Sequence, residues 1–295
     1  MKRIGNYLSL IKFSHSIFAL PFALIGFTLG LNYENVFYIE AVYKSPLWGV
    51  GGLVTLCMIF ARSAAMAFNR YLDRAIDAKN PRTKIREIPK GIITPKNALL
   101  FTIVCCVLFV VCCWFINALC FYLSFVALAV VLGYSYTKRF TPLCHLVLGL
   151  GLSLAPIGAY IAVTGQFAML PILFSVVVLF WVSGFDVMYA LQDEAFDKAN
   201  NLKSLPVLLG VKNALLLSRI FHFVAATIIV FIGGYFGFGY WYWLGAVVFC
   251  LLLIRQHSIV QYNNLTKLNL AFFTLNGIAS IVFAVFVITD IVLVK

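Results

Sequence analysis

Asn69, Asp73 and Asp77 recur every four residues in the stretch NRYLDRAIDAKNPRTKIREIPKG, residues 69–91. On one continuous helix these side chains share a face, with rungs ~6 Å apart along the axis. Oxygen ligands at that pitch suit hard divalent cations that keep some of their waters. The same stretch carries seven Lys and Arg, and the loop 79–96 holds Arg82, Lys84, Arg86 and Lys90 among Pro81, Pro89 and Gly91. Taken alone, such a run is a solvated basic loop. Beside a carboxylate ladder, its guanidinium forks match the oxygens of an anion with three or more charges. The stretch predicts a Mg²⁺-diphosphate site at a membrane surface.

A second constellation follows at Asp186, Tyr189, Asp193 and Asp197, whose steps of three or four residues put all four on one stripe. The segment 198–210 then repeats the layout of the first loop in shorter form, with cations, Leu205-Pro206 and a Gly before the next helix. The helices after the two loops begin alike, Lys96-Asn97-Ala98-Leu99-Leu100 against Lys212-Asn213-Ala214-Leu215-Leu216. Asp73 and Asp193 lie 120 residues apart, which places them four helices apart and facing the same side. These features predict a parallel internal repeat, roughly 47–164 and 167–294, within one membrane-embedded domain over 1–295. Two acid ladders entering from one membrane face can converge on one site.

Arg62 sits inside an apolar run seven residues before Asn69, so it faces nearly the same way two turns deeper. An ionisable group at that depth points to function. It either lines a cavity or pairs with one of the motif acids. Tyr134 and Lys138, four apart at a helix end, read as an interfacial anchor or as a wall of the same site. His15, near Lys12, Ser14 and Ser16, reads as an interfacial side chain or as a site residue.

These residues must be held by membrane helices. Of 295 residues, 63% are hydrophobic and 11% charged, with a mean hydropathy of +1.00. That is too much apolar surface for one soluble core and enough for many spans. Nine helices are expected, over 8–31, 47–71, 98–115, 118–136, 143–164, 167–191, 213–236, 240–254 and 268–294. Pro21 is expected to kink the first. The first run, behind Met1, Lys2 and Arg3, reads as a retained helix and not a cleaved leader. Eighteen Lys and Arg fall at the N-terminus and on the even loops, against Lys44 and Lys295 opposite. The positive-inside rule then makes this an integral inner (cytoplasmic) membrane protein with a cytoplasmic N-terminus and a site opening toward the cytoplasm. The same asymmetry accounts for the net charge of +12 and argues against a nucleic-acid surface. The eight Cys show no metal-ligand spacing and read as small apolar residues. Aromatic residues form 16% of the chain, and a minority lining a cavity could stabilise a carbocation through their ring faces.

The Asn69-x3-Asp73-x3-Asp77, Asp193-x3-Asp197 and Tyr134-x3-Lys138 motifs together resemble the three signatures of the UbiA superfamily of intramembrane aromatic prenyltransferases. The resemblance covers essentially the whole chain. It implies an all-α integral membrane protein with nine transmembrane helices around a central cavity. It implies further that Asn69, Asp73, Asp77, Asp193 and Asp197 hold Mg²⁺ on a polyprenyl diphosphate. Arg82, Arg86, Lys138 and Lys203 would assist from the loops, and Tyr134 would sit near the scissile bond. By the same resemblance, Arg62 and Asp186 lie near a small hydroxy-aromatic acid acceptor, and no obligate protein partner is implied. Ser14-His15-Ser16 and Phe196 depart from the 4-hydroxybenzoate branch. The wording around the first motif is more similar to a subgroup associated with futalosine-route menaquinone, whose acceptor is a dihydroxynaphthoate. Two other classes fit the residues less well. An ion-coupled secondary transporter places its acids near the midplane on broken helices. A phosphatidyl-type transferase needs an Asp-Gly and Ala-Arg pattern that is absent between these acids.

Overall fold

The computed structural model describes residues 2–11, 18–32 and 47–293 of the chain. His15, with Lys12, Ser14 and Ser16, lies outside the described residues. Those described form α1 (Lys2–Leu10), α2 (Leu20–Leu31), α3 (Leu47–Leu72), α4 (Arg74–Lys79), α5 (Pro95–Ile116), α6 (Ala118–Thr137) and α7 (Cys144–Thr164). They continue as α8 (Met169–Ala190), a 3₁₀ turn (Leu191–Asp193), α9 (Glu194–Ala199), α10 (Leu205–Tyr235), α11 (Tyr240–Ile259), a π-helical turn (Leu270–Leu275) and α12 (Asn276–Leu293). No strand occurs among the described residues. Eight of the helical stretches are long and apolar enough to cross a bilayer, and α2 is a shorter apolar helix. The expected first span is therefore two helices in the described residues, α1 and α2. Pro21 does not kink a helix interior. It occupies the first turn of α2, where its missing N–H costs nothing.

Both acidic motifs end their long helices in the same way. The α3 helix stops at Leu72, Asp73 forms the break, and the six-residue α4 carries Asp77. The break is shallow, since Asp73 N–H still reaches the Asn69 carbonyl at 2.9 Å and Asp77 N–H the Asp73 carbonyl at 2.8 Å. On the second motif, α8 gives way to the 3₁₀ turn before the six-residue α9 carries Asp197. Each ladder is thus jointed where a single helix was expected. A joint lets the last acid turn away from the helix axis and over the space between helices.

The loops after both motifs return the chain by the same local chemistry. Thr94 caps α5, with its hydroxyl accepting from Asn97 N–H, and Ser204 caps α10, accepting from Val207 N–H. Each helix has Pro in its first turn. Because Ser204 and Pro206 nucleate it, α10 begins before the expected residue 213, and a break at Gly210 (φ 74°) joins the early turn to the long span. The hinge expected near 116–117 is an extended Asn117 (φ −158°) between α5 and α6. Its side chain accepts from Cys120 N–H and donates to the Ile161 carbonyl at 2.9 Å, which ties the hairpin to α7.

Burial in lipid gives helices little hydrophobic reason to associate, so close packing decides which ones touch. A Cβ on Gly26 of α2 would lie 2.0 Å from the Pro156 carbonyl oxygen of α7. A Cβ on Gly149 of α7 would lie 2.5 Å from the Leu179 carbonyl oxygen of α8. Glycine at these two positions lets α2, α7 and α8 approach backbone to backbone. An aromatic core of Phe22, Trp181, Phe185, Phe249 and Phe283 fills the space shared by α2, α8, α11 and α12.

The π-helical turn before α12 frees backbone carbonyls that ordinary helix would pair. Asn276 answers them, its Nδ2 donating to the Ala271 and Phe272 carbonyls at 3.0 and 3.2 Å while its Oδ1 accepts from Trp181 Nε1 at 3.0 Å. Asn276 is fully buried, so each of these bonds is made without competition from water. Asn276→Ala orphans the Trp181 N–H and is expected to cost about 1–3 kcal/mol. Thermal unfolding in detergent, followed by Trp fluorescence, measures that loss. An unchanged midpoint would deny the turn its anchor.

Candidate active site

A cavity of about 670 Å³ opens between the two acidic motifs. Asn69, Asp73, Asp77, Asp193 and Asp197 all line it, as do Arg62, Arg82, Arg86, Tyr134, Lys138, Asp186 and Tyr189. The two ladders therefore converge on one space. Of the expected site residues that are described, Lys203 alone does not line it.

Each of the four motif carboxylates at the mouth is matched to a cation from another segment. Arg82, on the loop after the first motif, crosses to Asp193 of the second, with Nε 3.0 Å from Oδ1 and Nη2 on Oδ2. Asn80 adds a hydrogen bond to the same Oδ1 at 3.1 Å. Arg86 Nη1 lies 2.6 Å from Asp77 Oδ1. Lys138, at the end of α6, places Nζ 2.8 Å from Asp197 Oδ1. Arg139 Nη2 reaches Asp73 Oδ1 at 2.8 Å and the Leu72 carbonyl at 3.2 Å, while Nη1 holds the Ser135 carbonyl at 2.9 Å.

The electrostatics follow from partial burial. Burial lifts the Asp73 carboxyl above its ordinary pKa, with Arg139 pulling the other way. For Arg82, burial favours the neutral form, but the hydrogen bonds and charge of Asp193 outweigh it and hold the proton more tightly. The cationic loop is thus fixed in its charged state by the acid it covers.

Two cations of the cavity wall, Arg62 and Arg70, are not matched. Arg70 is buried, and the Nε atoms of Arg62 and Arg70 are both buried without a hydrogen-bond partner. No ion pair among the described residues includes either. Of the two readings open for Arg62, the structure gives the cavity wall and not a paired acid. Buried guanidiniums left in this state form a receptor for an anion. The body of the cavity is apolar and aromatic, with Phe18, Leu148, Leu152, Val182, Phe185, Phe272 and Phe273. Tyr189 stacks on Phe272 with ring centroids 4.0 Å apart, and the Arg82 guanidinium lies 5.7 Å from the Tyr189 centroid.

The donor set fits a hard divalent cation. Asp77 Oδ2 and Asp197 Oδ2 are buried without a hydrogen-bond donor. No group of three or more His, Cys, Asp and Glu is gathered for metal among the described residues. Mg²⁺ does not need such a cage, because it binds through one or two carboxylates and completes its octahedron with water and phosphate oxygens.

The structure corrects one assignment. Lys203 turns away, its Nζ donating to the Phe140 carbonyl at 3.1 Å and its N–H to the Lys138 carbonyl at 2.8 Å. It braces the segment that carries Lys138, and an exposed ammonium gains more from that carbonyl than from reaching over the rim. Four other residues matter that spacing alone did not single out: Arg70, Asn80, Arg139 and His145. Arg70 and Arg139 adjoin expected residues, and their adjacency to Asn69 and Lys138 was the available signal. Asn80 and His145 had none, because each meets its partner across more than 40 residues of chain.

Comparison with known proteins agrees with this geometry. The model of the UbiA prenyltransferase family matches residues 14–278. A 4-hydroxybenzoate octaprenyltransferase of Francisella tularensis subsp. tularensis is 28% identical over 240 residues, covering 81% of this chain and 83% of its own. The apo structure of a UbiA homologue from Aeropyrum pernix superposes with a TM-score of 0.81 at 28% identity, over 94% of this chain and 98% of that one. A UbiA homologue from Archaeoglobus fulgidus bound to DMAPP and Mg²⁺ shares the fold, with a TM-score of 0.72 at 19% identity over 98% and 99% of the two chains.

The crossed pairs separate the loop cations by role. Calorimetric binding of inorganic diphosphate with Mg²⁺ is expected to weaken about tenfold or more in Arg82→Ala and Arg86→Ala, and to stay within about twofold in Lys203→Ala. Equal weakening in all three would return Lys203 to the site.

Proposed function

The chain belongs to the UbiA prenyltransferase family, and from that membership we propose that it moves a polyprenyl group from a polyprenyl diphosphate to a ring carbon of a hydroxy-aromatic acid. The observation that carries this reading is the division of one cavity into an acidic and cationic mouth and an aromatic body with the unpaired Arg62 on its wall. The mouth suits a diphosphate and its cations, and the body suits an isoprenyl chain and a planar acceptor.

Asn69, Asp73, Asp77, Asp193 and Asp197 would hold Mg²⁺, as the bound state of the Archaeoglobus fulgidus homologue supports. The metal supplies charge neutralisation to the departing diphosphate. Arg82, Arg86 and Lys138 exchange their carboxylate partners for phosphate oxygens, so no charge is left unpaired when the substrate enters. Tyr134 stands over the carbon that loses the diphosphate. The rings of Phe185, Tyr189 and Phe272 face the developing allylic cation with their π-density and offer no amine or thiol to capture it. Arg62 takes the carboxylate of the acceptor and orients its hydroxyl-bearing edge toward the cation. The acceptor is 4-hydroxybenzoate or a dihydroxynaphthoate, in the synthesis of ubiquinone or menaquinone. The 4-hydroxybenzoate octaprenyltransferase relative supports the former, and the Phe68-Asn69-Arg70 and Ala78-Lys79-Asn80-Pro81-Arg82-Thr83 wording around the first motif supports the latter.

The two halves, 47–164 and 167–294, form one domain of repeated units. Their matched joints and matched Thr94 and Ser204 caps support that reading. The distribution of Lys and Arg supports an inner-membrane protein whose site opens to the cytoplasm.

Purified protein in detergent, given polyprenyl diphosphates with each acceptor and Mg²⁺, is expected to yield a prenylated aromatic product by mass spectrometry. Its mass reports both the acceptor and the fate of the carboxylate. Diphosphate binding without product for any acceptor would overturn the aromatic half of the reading. Asp73→Asn and Asp193→Asn are each expected to lower turnover about 100-fold or more with folding retained. Near-normal rates at saturating Mg²⁺ would refute the two-ladder site. Arg62→Ala is expected to raise the acceptor KM about tenfold while leaving diphosphate binding intact. Equal loss of both would move Arg62 into the diphosphate site.

A further inference from the structure

His145 stands at the start of α7 and is 3% exposed, yet it lines the cavity. Its Nδ1 lies 2.7 Å from Oδ2 of Asp186 on α8. Its Nε2 is buried and has no hydrogen-bond partner. The pairing is built into the backbone. One turn further along α7, Gly149 brings the two helices to near contact, and Ser183 Oγ donates to the His145 carbonyl at 3.2 Å. When the imidazole is neutral, a carboxylate on Nδ1 holds the proton there and presents Nε2 as an oriented lone pair.

We infer that His145 is the group that receives the hydroxyl proton of the acceptor, with Asp186 orienting it and stabilising the imidazolium that forms. The inference rests on the aromatic acceptor proposed above and adds the device that activates it. No other described residue lining the cavity sets a ring nitrogen against a carboxylate with its second nitrogen open, and Glu87 accepts from the Ser9 hydroxyl. The motif carboxylates are held by cations, Arg62 and Arg70 only donate, and Tyr134 lacks a basic partner in hydrogen-bond contact. Phenols are weak carbon nucleophiles and phenolates strong ones, so proton removal at the moment of carbon–carbon bond formation lowers the barrier. The proton passes from the hydroxyl to Nε2, and the bond from the prenyl carbon to the diphosphate breaks with its electron pair leaving on the diphosphate. The ring carbon beside the oxygen bonds to that prenyl carbon, giving a ring ketone. The hydrogen on that carbon leaves as a proton to the departing diphosphate, or a carboxylate borne there leaves as carbon dioxide; either restores aromaticity, and the imidazolium returns its proton to the oxygen. His145 ends neutral. The titratable and charged groups facing the pair are Cys144 beside it, Asp197 with its Lys138 partner from α9 and α6, and Tyr134 near Asp186.

The test uses full-length protein in detergent and 4-hydroxybenzoates, or the matching naphthoates, that carry fluorine on the ring to make the hydroxyl more acidic. His145→Gln is expected to reduce kcat about 100-fold with the least acidic acceptor, with the prenyl diphosphate KM unchanged, and to recover progressively as the acceptor hydroxyl becomes more acidic. Its pH profile loses the acid limb that the wild type shows. Asp186→Asn is expected to follow the same trend more weakly. The second readout needs no turnover: 3-nitro-4-hydroxybenzoate, whose phenolate absorbs visible light, should ionise at lower pH when bound to wild type than when bound to His145→Gln. A loss of kcat that is equal for all acceptors, with the probe ionising alike in both proteins, would make His145 a structural pin between α7 and α8 and overturn the inference. Product from wild type together with wild-type behaviour of His145→Gln would overturn this inference alone. Wild type that binds diphosphate but prenylates none of the phenols would overturn the aromatic reading on which it rests.

Discussion

The whole structure depends on keeping four carboxylates partly out of water at the end of a helical bundle. A desolvated carboxylate demands a countercharge, and the countercharges come from elsewhere in the chain. Arg82 crosses from the first motif's loop to Asp193, Arg139 comes from the end of α6 to Asp73, and Lys138 reaches Asp197. These crossings sew α3, α6, α8 and the basic loop into one rim. A loop that is merely solvated would have no reason to fold over the cavity. This one is drawn there by charge, and its arginine is kept charged by the acid it covers.

The same pairs explain how a strongly charged mouth persists next to an apolar interior. Each carboxylate with its cation is close to neutral, while Arg62 and Arg70 line the same cavity with no ion-pair partner among the described residues. In the proposed reaction, metal and diphosphate replace one neutral set of pairs by another. That exchange would leave no charge of the rim without a partner.

Packing sets the geometry below the rim. Lipid provides no hydrophobic drive between helices, so small residues decide how near they come. Gly26 and Gly149 let α2, α7 and α8 meet backbone to backbone, and that closeness carries His145 to Asp186. The π-helical turn, stabilised by Asn276, brings Phe272 and Phe273 to the cavity and stacks Phe272 on Tyr189. Local strain in the helix ladder is thus compensated by a side chain, and the aromatic wall is its product.

What the sequence by itself determined are the properties that arise within a few residues. The 3.6-residue period fixed which acids share a stripe, and the length of the apolar runs fixed α3 and α5 to α8 to within a few residues. Asn69, Asp73, Asp77, Asp193, Asp197, Arg62, Tyr134, Lys138 and Tyr189 were legible for that reason. Only the tertiary structure decided which cation meets which acid. Lys203 and Arg139 are both cations on short loops, and nothing in their spacing distinguishes a brace on the Phe140 carbonyl from a partner of Asp73. The joints at Asp73 and at Leu191–Asp193 were likewise hidden, since they satisfy the rim and not the helix. His145 is the clearest case. Its neighbours in sequence are apolar, and its chemistry appears only when α8, 41 residues further on, lays Asp186 against it.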